Sequence, residues 1–292
     1  MSAGGVNPLI PFLLPGRGVR GFAVNLTEQL NSMFGWRDYP PDVAQQLGQA
    51  LAAAPLLAAD MRQEGRFNLQ FQGQGPVKLM VTQIDEALQL RGMVKHDADA
   101  EGDFQALFGG GLLAALVEPK RGDNRYQAMV DVVGLELAEA LQIYFARSEQ
   151  TQTLIRLAAT PEKLAGVMLQ RLPEGEGRND DNWHHVYTLF RTVSAGDLLR
   201  WEIPDLLARV FAEDEVRLFE PRAVALRCQC SHAQISAMLL GLGREEVDTV
   251  LAEQGKVEVT CEFCGRQYRY SPAEAHALFV AETAAAAGQT RQ

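Results

Sequence analysis

Outside residues 228–264 this sequence contains no cysteine. A dispersed, structural use of the residue is therefore excluded. Positive charge is also short, with 27 Lys and Arg against 37 Asp and Glu and a formal net charge of −10. That balance argues against a broad nucleic-acid surface, which needs a basic patch to displace counterions. No stretch approaches 18 uninterrupted apolar residues, so no membrane span is expected. Met1 to Pro15 lacks a basic start, and Pro8, Pro11 and Pro15 break its short apolar run, so neither a signal peptide nor an anchor is expected there. The expected setting is cytoplasmic, where thiols stay reduced. Nucleotide loops are missing as well. Gly16-Arg17-Gly18-Val19-Arg20-Gly21 matches a dinucleotide pattern by letter, but prolines precede it where a buried strand is needed. No Gly-Lys-Ser/Thr follows Gly109-Gly110-Gly111, which suits a turn. Ser148-Glu149-Gln150 has no accompanying histidine, and no hydrolase constellation emerges. No enzyme activity is expected.

What is present is the cysteine cluster itself, Cys228-Gln229-Cys230 and Cys261-Glu262-Phe263-Cys264. Two close pairs can fold back so that four sulfurs meet at one point, the four-cysteine pattern of a tetrahedral zinc site with Zn–S distances of roughly 2.3 Å. Cys228, Cys230, Cys261 and Cys264 are the candidate ligands of one Zn2+. His232 stands close enough in sequence to replace a cysteine, but four thiolates already fill a tetrahedron, which leaves it a supporting position. Each pair can also close a disulfide locally, and a disulfide has no thiolate to offer a metal. The tail from residue 228 has few large apolar residues for a core of its own. Zinc would supply the missing free energy, on the order of 10–16 kcal/mol in small zinc peptides. Its charge, five Lys and Arg against eight Asp and Glu, speaks against a nucleic-acid finger.

Along the chain the pattern is α+β: an N-terminal antiparallel sheet with helical cover, a helical linker and a small C-terminal zinc-binding α+β module. Three domains are expected, 1–172, 173–227 and 228–292. In the first, helical spacing predicts helices over Asp42 to Met61 and Glu136 to Ser148. Strands are predicted over Phe67 to Phe71, Val77 to Thr82, Leu88 to Val94, Leu112 to Glu118 and Tyr126 to Val132. The acidic, turn-rich run Pro173 to Asp181 marks a boundary. From 172 to 227 seven Lys and Arg and eleven Asp and Glu alternate with apolar residues such as Trp183, Phe190, Leu198, Leu206 and Phe211. Such a segment docks by one face and is expected to be metastable. In the tail, Ser231 and Gln234 open a helix, Arg244 to Glu253 gives a second, and Lys256 to Thr260 and Gln267 to Tyr270 pair as strands. Ser271-Pro272-Ala273-Glu274 starts the last helix, whose final ten residues are expected to fray.

These residues resemble a known family. Cys228-Gln229-Cys230-Ser231, then Cys261-Glu262-Phe263-Cys264 with Tyr268 four residues on, is similar to the C-terminal redox switch of the 33 kDa chaperonins, bacterial redox-regulated heat-shock holdases. Upstream, Arg20-Gly21, Leu47-Gly48, Gln72-Gly73-Gln74-Gly75-Pro76, Leu90-Arg91-Gly92, Tyr126-Gln127, Tyr144 with Ser148-Glu149-Gln150, and Gly166 with Gln170 fall in the family's order. Ala128, where the family has glycine, is a small departure. The resemblance implies an ATP-independent chaperone that binds unfolding client proteins under oxidative and heat stress. It implies that the reduced, zinc-bound form is inactive. Oxidation would form the disulfides Cys228–Cys230 and Cys261–Cys264, release zinc and unfold tail and linker. It further implies a homodimer when oxidised, with no nucleic acid, membrane or nucleotide as partner. The rival readings are a constitutive zinc-ribbon adaptor and a thiol–disulfide oxidoreductase working through Cys261 and Cys264.

Overall fold

The computed structural model describes residues 7–30, 37–59, 65–120, 126–173 and 179–289, with only the backbone at 126–127 and 281–289. The first residues of the Met1 to Pro15 run, the end of the helix expected to reach Met61, the middle of the boundary at 173–181 and the last three residues lie outside that description. The chain divides into two compact units, Met1–Arg227 and Cys228–Gln292.

In the first unit β1 (Pro8–Leu14) and β2 (Val19–Leu26) form a hairpin closed by a 3-10 turn at Pro15–Arg17. The glycine pattern at 16–21 is this turn and the strand after it. Helix α1 (Pro41–Ala58) follows. β3 (Gly65–Gly73), β4 (Val77–Asp85), β5 (Gln89–His96), the short α2 (Phe104–Phe108), β6 (Gly111–Pro119) and β7 (Tyr126–Asp131) come next. Then α3 (Leu137–Tyr144) passes into a π-helical turn, Phe145–Glu149, before the hairpin of β8 (Thr153–Ala159) and β9 (Leu164–Arg171). The linker contributes α4 (Asp180–Phe190), α5 (Ala195–Arg200) and α6 (Ile203–Val210), then three two-residue strands, β10 (Arg217–Leu218), β11 (Arg222–Ala223) and β12 (Ala225–Leu226).

The class is the expected α+β, and the antiparallel sheet is doubled. Sheet A runs β10-β1-β2-β9-β8, with β11 also on β1; sheet B runs β12-β5-β4-β3-β6-β7. All pairings in the two are antiparallel except β12 on β5. Helix α1 lies between the sheets and is buried along most of its length. Its Leu47 and Leu51 lie against Gly92 of sheet B, and its Leu56 against Gly166 of sheet A. A helix so enclosed suits alanine, which fills little space and gives up no side-chain entropy.

The other face of sheet A is covered by the linker. Ile10, Phe12, Leu14, Val19, Ala23, Ala165, Val167 and Leu169 share one face by the period of two, and Val186, Phe190, Leu198, Ile203, Leu206, Leu207 and Phe211 pack on it. Two of the linker helices start at side-chain caps: Asn179 accepts the Asn182 amide at 2.7 Å, and Ser194 and Asp197 make a reciprocal capping box. A half-buried ionic cluster fastens this layer to the β1–β2 turn. Asp214 receives Arg17 Nε at 2.7 Å and His185 Nε2 at 2.9 Å, and Arg17 Nη1 donates to Asn182 Oδ1 at 2.8 Å. The helical segments end at Val210, residues 211–214 make a turn, and the linker from Arg217 on is extended.

The second unit comprises α7 (His232–Leu242), α8 (Arg244–Gln254), the hairpin β13 (Val257–Thr260) and β14 (Gln267–Tyr270), and α9 (Pro272–Gln289). Its core is small: Leu239, Val247, Leu251, Val257, Tyr268, Tyr270, Ala275 and Phe279, with the cysteines beside it. Among the described residues no helix is long and apolar enough to cross a membrane.

Candidate metal centre

Two short loops of the second unit carry the cysteines. Cys228 and Cys230 lie just ahead of α7, whose cap, Ser231, accepts the Gln234 amide at 3.2 Å. Cys261 and Cys264 lie in the turn between β13 and β14. That turn is closed by Cys261 N–H donating to Arg266 O at 2.9 Å and by Gly265 N–H donating to Cys261 O at 2.8 Å. Gly265 has φ +69°, a left-handed conformation in which glycine carries no steric penalty.

The four sulfurs converge. Cys228 Sγ is 3.6 Å from Cys261 Sγ, Cys230 Sγ is 3.4 Å from Cys264 Sγ, and all four lie within 4.8 Å of one another. A tetrahedral ion with bonds of roughly 2.3 Å would set sulfurs about 3.8 Å apart. All four cysteines are free; Cys261 is buried and the others are half-buried. The backbone is arranged for thiolates: amides of Phe263 and Cys264 face the Cys261 sulfur, and the Arg266 amide faces Cys264. Without a cation Cys261 and Cys264 hold their protons. The hydrogen bond shared with Cys228, and then burial, push the Cys261 thiol far up. Burial, and then the neighbouring cysteines, push Cys264 up to about 11. A divalent cation removes this penalty by replacing mutual repulsion with coordination. The Tyr268 hydroxyl supports the same conclusion. It is buried beside Cys230 and Arg266 without a well-formed hydrogen bond to either, and burial raises its pKa. A Cys230 thiolate would give it an acceptor. The residues fit a metal ion, and ligation by four thiolates suits zinc.

His232 stays outside the sulfur cluster. Its ring lies tilted against Tyr270 with centroids 4.6 Å apart, and its Nδ1 lies 3.4 Å from the Tyr270 hydroxyl. The other histidines are dispersed: His185 on Asp214, His184 against Tyr187, His276 on Asp248 and His96 by Asp97. Glu149 accepts from Tyr144 at 3.1 Å in the π turn. Gly265 and Arg266 were not singled out from the sequence, although glycine directly after a Cys-x-x-Cys pair is the signal of such a turn. The Arg17–Asp214 pair spans 197 positions and has no local signal.

Known proteins resemble this chain in sequence and fold. A family model described as Hsp33 protein matches residues 7–271. A 33 kDa chaperonin of Nitrosococcus oceani is 40% identical over 281 residues, covering 96% of each chain. Another, of Ectopseudomonas mendocina, is 38% identical over 289 residues, covering 96% of this chain and 97% of its own. The crystal structure of a 33 kDa chaperonin from Thermotoga maritima superposes with a TM-score of 0.82 at 21% identity, covering 96% of this chain and 99% of its own, a likeness of fold. With the family model running from β1 to the start of α9 and relatives matched almost end to end, this chain belongs to the Hsp33 family.

Proposed function

We propose that this chain is a redox-regulated, ATP-independent holdase whose reduced form holds one zinc ion and is inactive. The relatives bear the name of a chaperonin, a class that binds other proteins and alters no bond in them, so the chain is a chaperone and not an enzyme. The observation that carries the finer reading is the convergence of four free cysteines within 4.8 Å, in a unit whose core is small. Cys228, Cys230, Cys261 and Cys264 would hold the ion, which supplies the cohesion of the second unit. Oxidation within the two sequence-local pairs, Cys228–Cys230 and Cys261–Cys264, removes every thiolate, and the unit then loses its metal and its fold.

The linker over 173–227 is the second element of the switch, between a core domain at 1–172 and the redox domain at 228–292. Its helices bury their apolar sides on sheet A and turn charge to solvent. Once free, that apolar surface and the uncovered face of sheet A capture unfolding proteins, in a homodimer, without nucleotide, nucleic acid or membrane. Reduced, clustered thiols fit a cytoplasmic setting. The oxidoreductase alternative is disfavoured by Cys261 and Cys264 lying between two strands, with both thiols raised where a nucleophile needs them lowered.

Zinc content and suppression of thermal aggregation of a model client, followed together through peroxide treatment at elevated temperature, test the proposal. Zinc release should coincide with the gain of activity, and reductant plus zinc should reverse both. Zinc retained with no gain would leave a constitutive structural-zinc adaptor.

A further inference from the structure

The last residues of the linker, 217–227, occupy an edge of each sheet. In sheet A, β10 and β11 lie along β1, with Leu13 opposite Arg217 and Leu9 opposite Arg222. Phe219 N–H donates to Pro11 O at 2.9 Å, and Val224 N–H to Asn7 O at 3.0 Å. In sheet B, β12 lies along β5, where Ala225 and Arg227 amides donate to Leu88 O at 3.0 Å and Leu90 O at 2.9 Å. Beyond that point Val94 is served by side chains, its carbonyl by Arg37 Nη1 at 3.0 Å and its amide by the Tyr39 hydroxyl at 3.3 Å. Pro11 accounts for the gap between β10 and β11: its carbonyl points at the linker, but its nitrogen has no hydrogen to donate.

Most of the hydrogen bonds in this grip are main-chain ones. Leu218 and Phe219 remain 42% and 48% exposed while docked and Arg217, Arg222 and Arg227 are exposed, whereas Val224 and Leu226 are buried and Arg222 Nη2 donates to Ala59 O at 2.9 Å. A site that binds through backbone groups accepts almost any sequence able to extend. An edge stripped of its partner presents a row of unpaired N–H and C=O groups, which is a template for another strand.

We infer that the edges of β1 and β5 are docking rails for client protein, occupied by residues 217–227 in the inactive form and filled by extended client segments after the linker leaves. The inference rests on the holdase reading and adds to it the mode of binding: strand addition, antiparallel on β1 and parallel on β5. The linker itself is the argument for this occupant, because it is an extended stretch of polypeptide hydrogen-bonded to both edges through its main chain.

Hydrogen exchange on the full-length protein tests it, with urea-unfolded citrate synthase as client. Leu9 and Leu13 share the orientation of Pro11, so their amides face the linker. On oxidation both should lose protection, and on saturation with client both should regain it by about tenfold or more. Amides that open on oxidation and stay open in a complex that still suppresses aggregation overturn the edge proposal and leave the holdase standing. Amides that never open overturn both, because the linker has not left. A pair of variants gives a second measure. Leu13→Pro removes the amide facing the linker and spares the bonds to β2, so client affinity should fall roughly 3- to 10-fold, the equivalent of one hydrogen bond. Leu13→Ala keeps the amide and should bind as the wild type does. Equal affinities for the two would refute the proposal.

Discussion

Replacing Asp214 with asparagine should loosen the linker without touching a cysteine. The Asp214 side chain is only 4% exposed, while its partners Arg17 and His185 are 29% and 31% exposed. Burial alone would raise its carboxyl; hydrogen bonds from His185 and Arg17, with their charges, outweigh that and hold it below the usual aspartate value. Charge-assisted hydrogen bonds of this kind contribute about 1.5–3 kcal/mol each when well shielded. Solvent at the two cations reduces that, since exposed pairs contribute less than about 1 kcal/mol. A net loss of about 2 kcal/mol follows, which multiplies the population of undocked linker by roughly 30. Native-state hydrogen exchange of the reduced, zinc-loaded protein reads this directly at Val186 and Phe190 in α4, both buried against sheet A. Their opening should become roughly 30-fold more frequent, and the threshold for peroxide activation should fall. A depressed carboxyl stabilises the docked form above the ordinary aspartate pKa, and that contribution disappears as pH falls through the depressed value. The wild-type linker should therefore loosen below about pH 4, and the Asn variant should lack that step. Exchange in α4 that is the same in both proteins at neutral pH would refute the reasoning, since Asp214 would then be a passenger.

Three further outcomes are expected. Phe211→Ala empties a side chain that is 1% exposed in the linker–sheet core; a loss of about 3–5 kcal/mol should appear as linker opening and basal holdase activity in the reduced protein. Gly21→Ala sets a methyl group where the Phe12 ring lies over Gly21, and thermal denaturation should show a loss of about 1–3 kcal/mol from overpacking. Zinc affinity, measured by competition with a chelator, should rise steadily between roughly pH 6 and pH 9, because the raised Cys261 and Cys264 thiols must give up their protons to bind; a flat profile would mean that other groups hold the ion.

The four-cysteine cluster was legible because its signal is local. Each cysteine pair sits in one short loop, and Ser231 and Ser271 mark the adjacent helices by their own chemistry. Sheet B was legible for a similar reason: β3, β4 and β5 mix buried and more exposed positions, and the β3–β4 turn carries glycine and proline. Sheet A was not. It is covered on both faces, so β9 is buried at seven consecutive positions and has no alternation to detect. Pro8 and Pro11 looked like breaks, whereas β1 lies next to the sheet edge, where Pro11 directs its missing N–H away from β2. The helix expected over Glu136 to Ser148 changes to π geometry after Tyr144, a local widening that periodicity does not record. β10, β11 and β12 are two residues long and exist only because an edge is there to receive them. The Arg17–Asp214–His185 cluster assembles from three separate stretches, and only the folded topology brings them together.

The extended segment before Cys228 has a consequence for proteolysis. Arg217, Arg222 and Arg227 are exposed side chains, each a tryptic recognition residue, on a backbone held in strand pairing or hydrogen-bonded to β5. A protease must draw several residues of extended chain into its own cleft, so these arginines are visible to it and still resist cleavage while the pairing lasts. Undocking removes the protection from all three at once. One cut there would part the sulfur-bearing unit from the chaperone core, and reductant could no longer return the molecule to rest. The time a molecule spends open therefore sets not only how much client it holds but whether it can ever be switched off again.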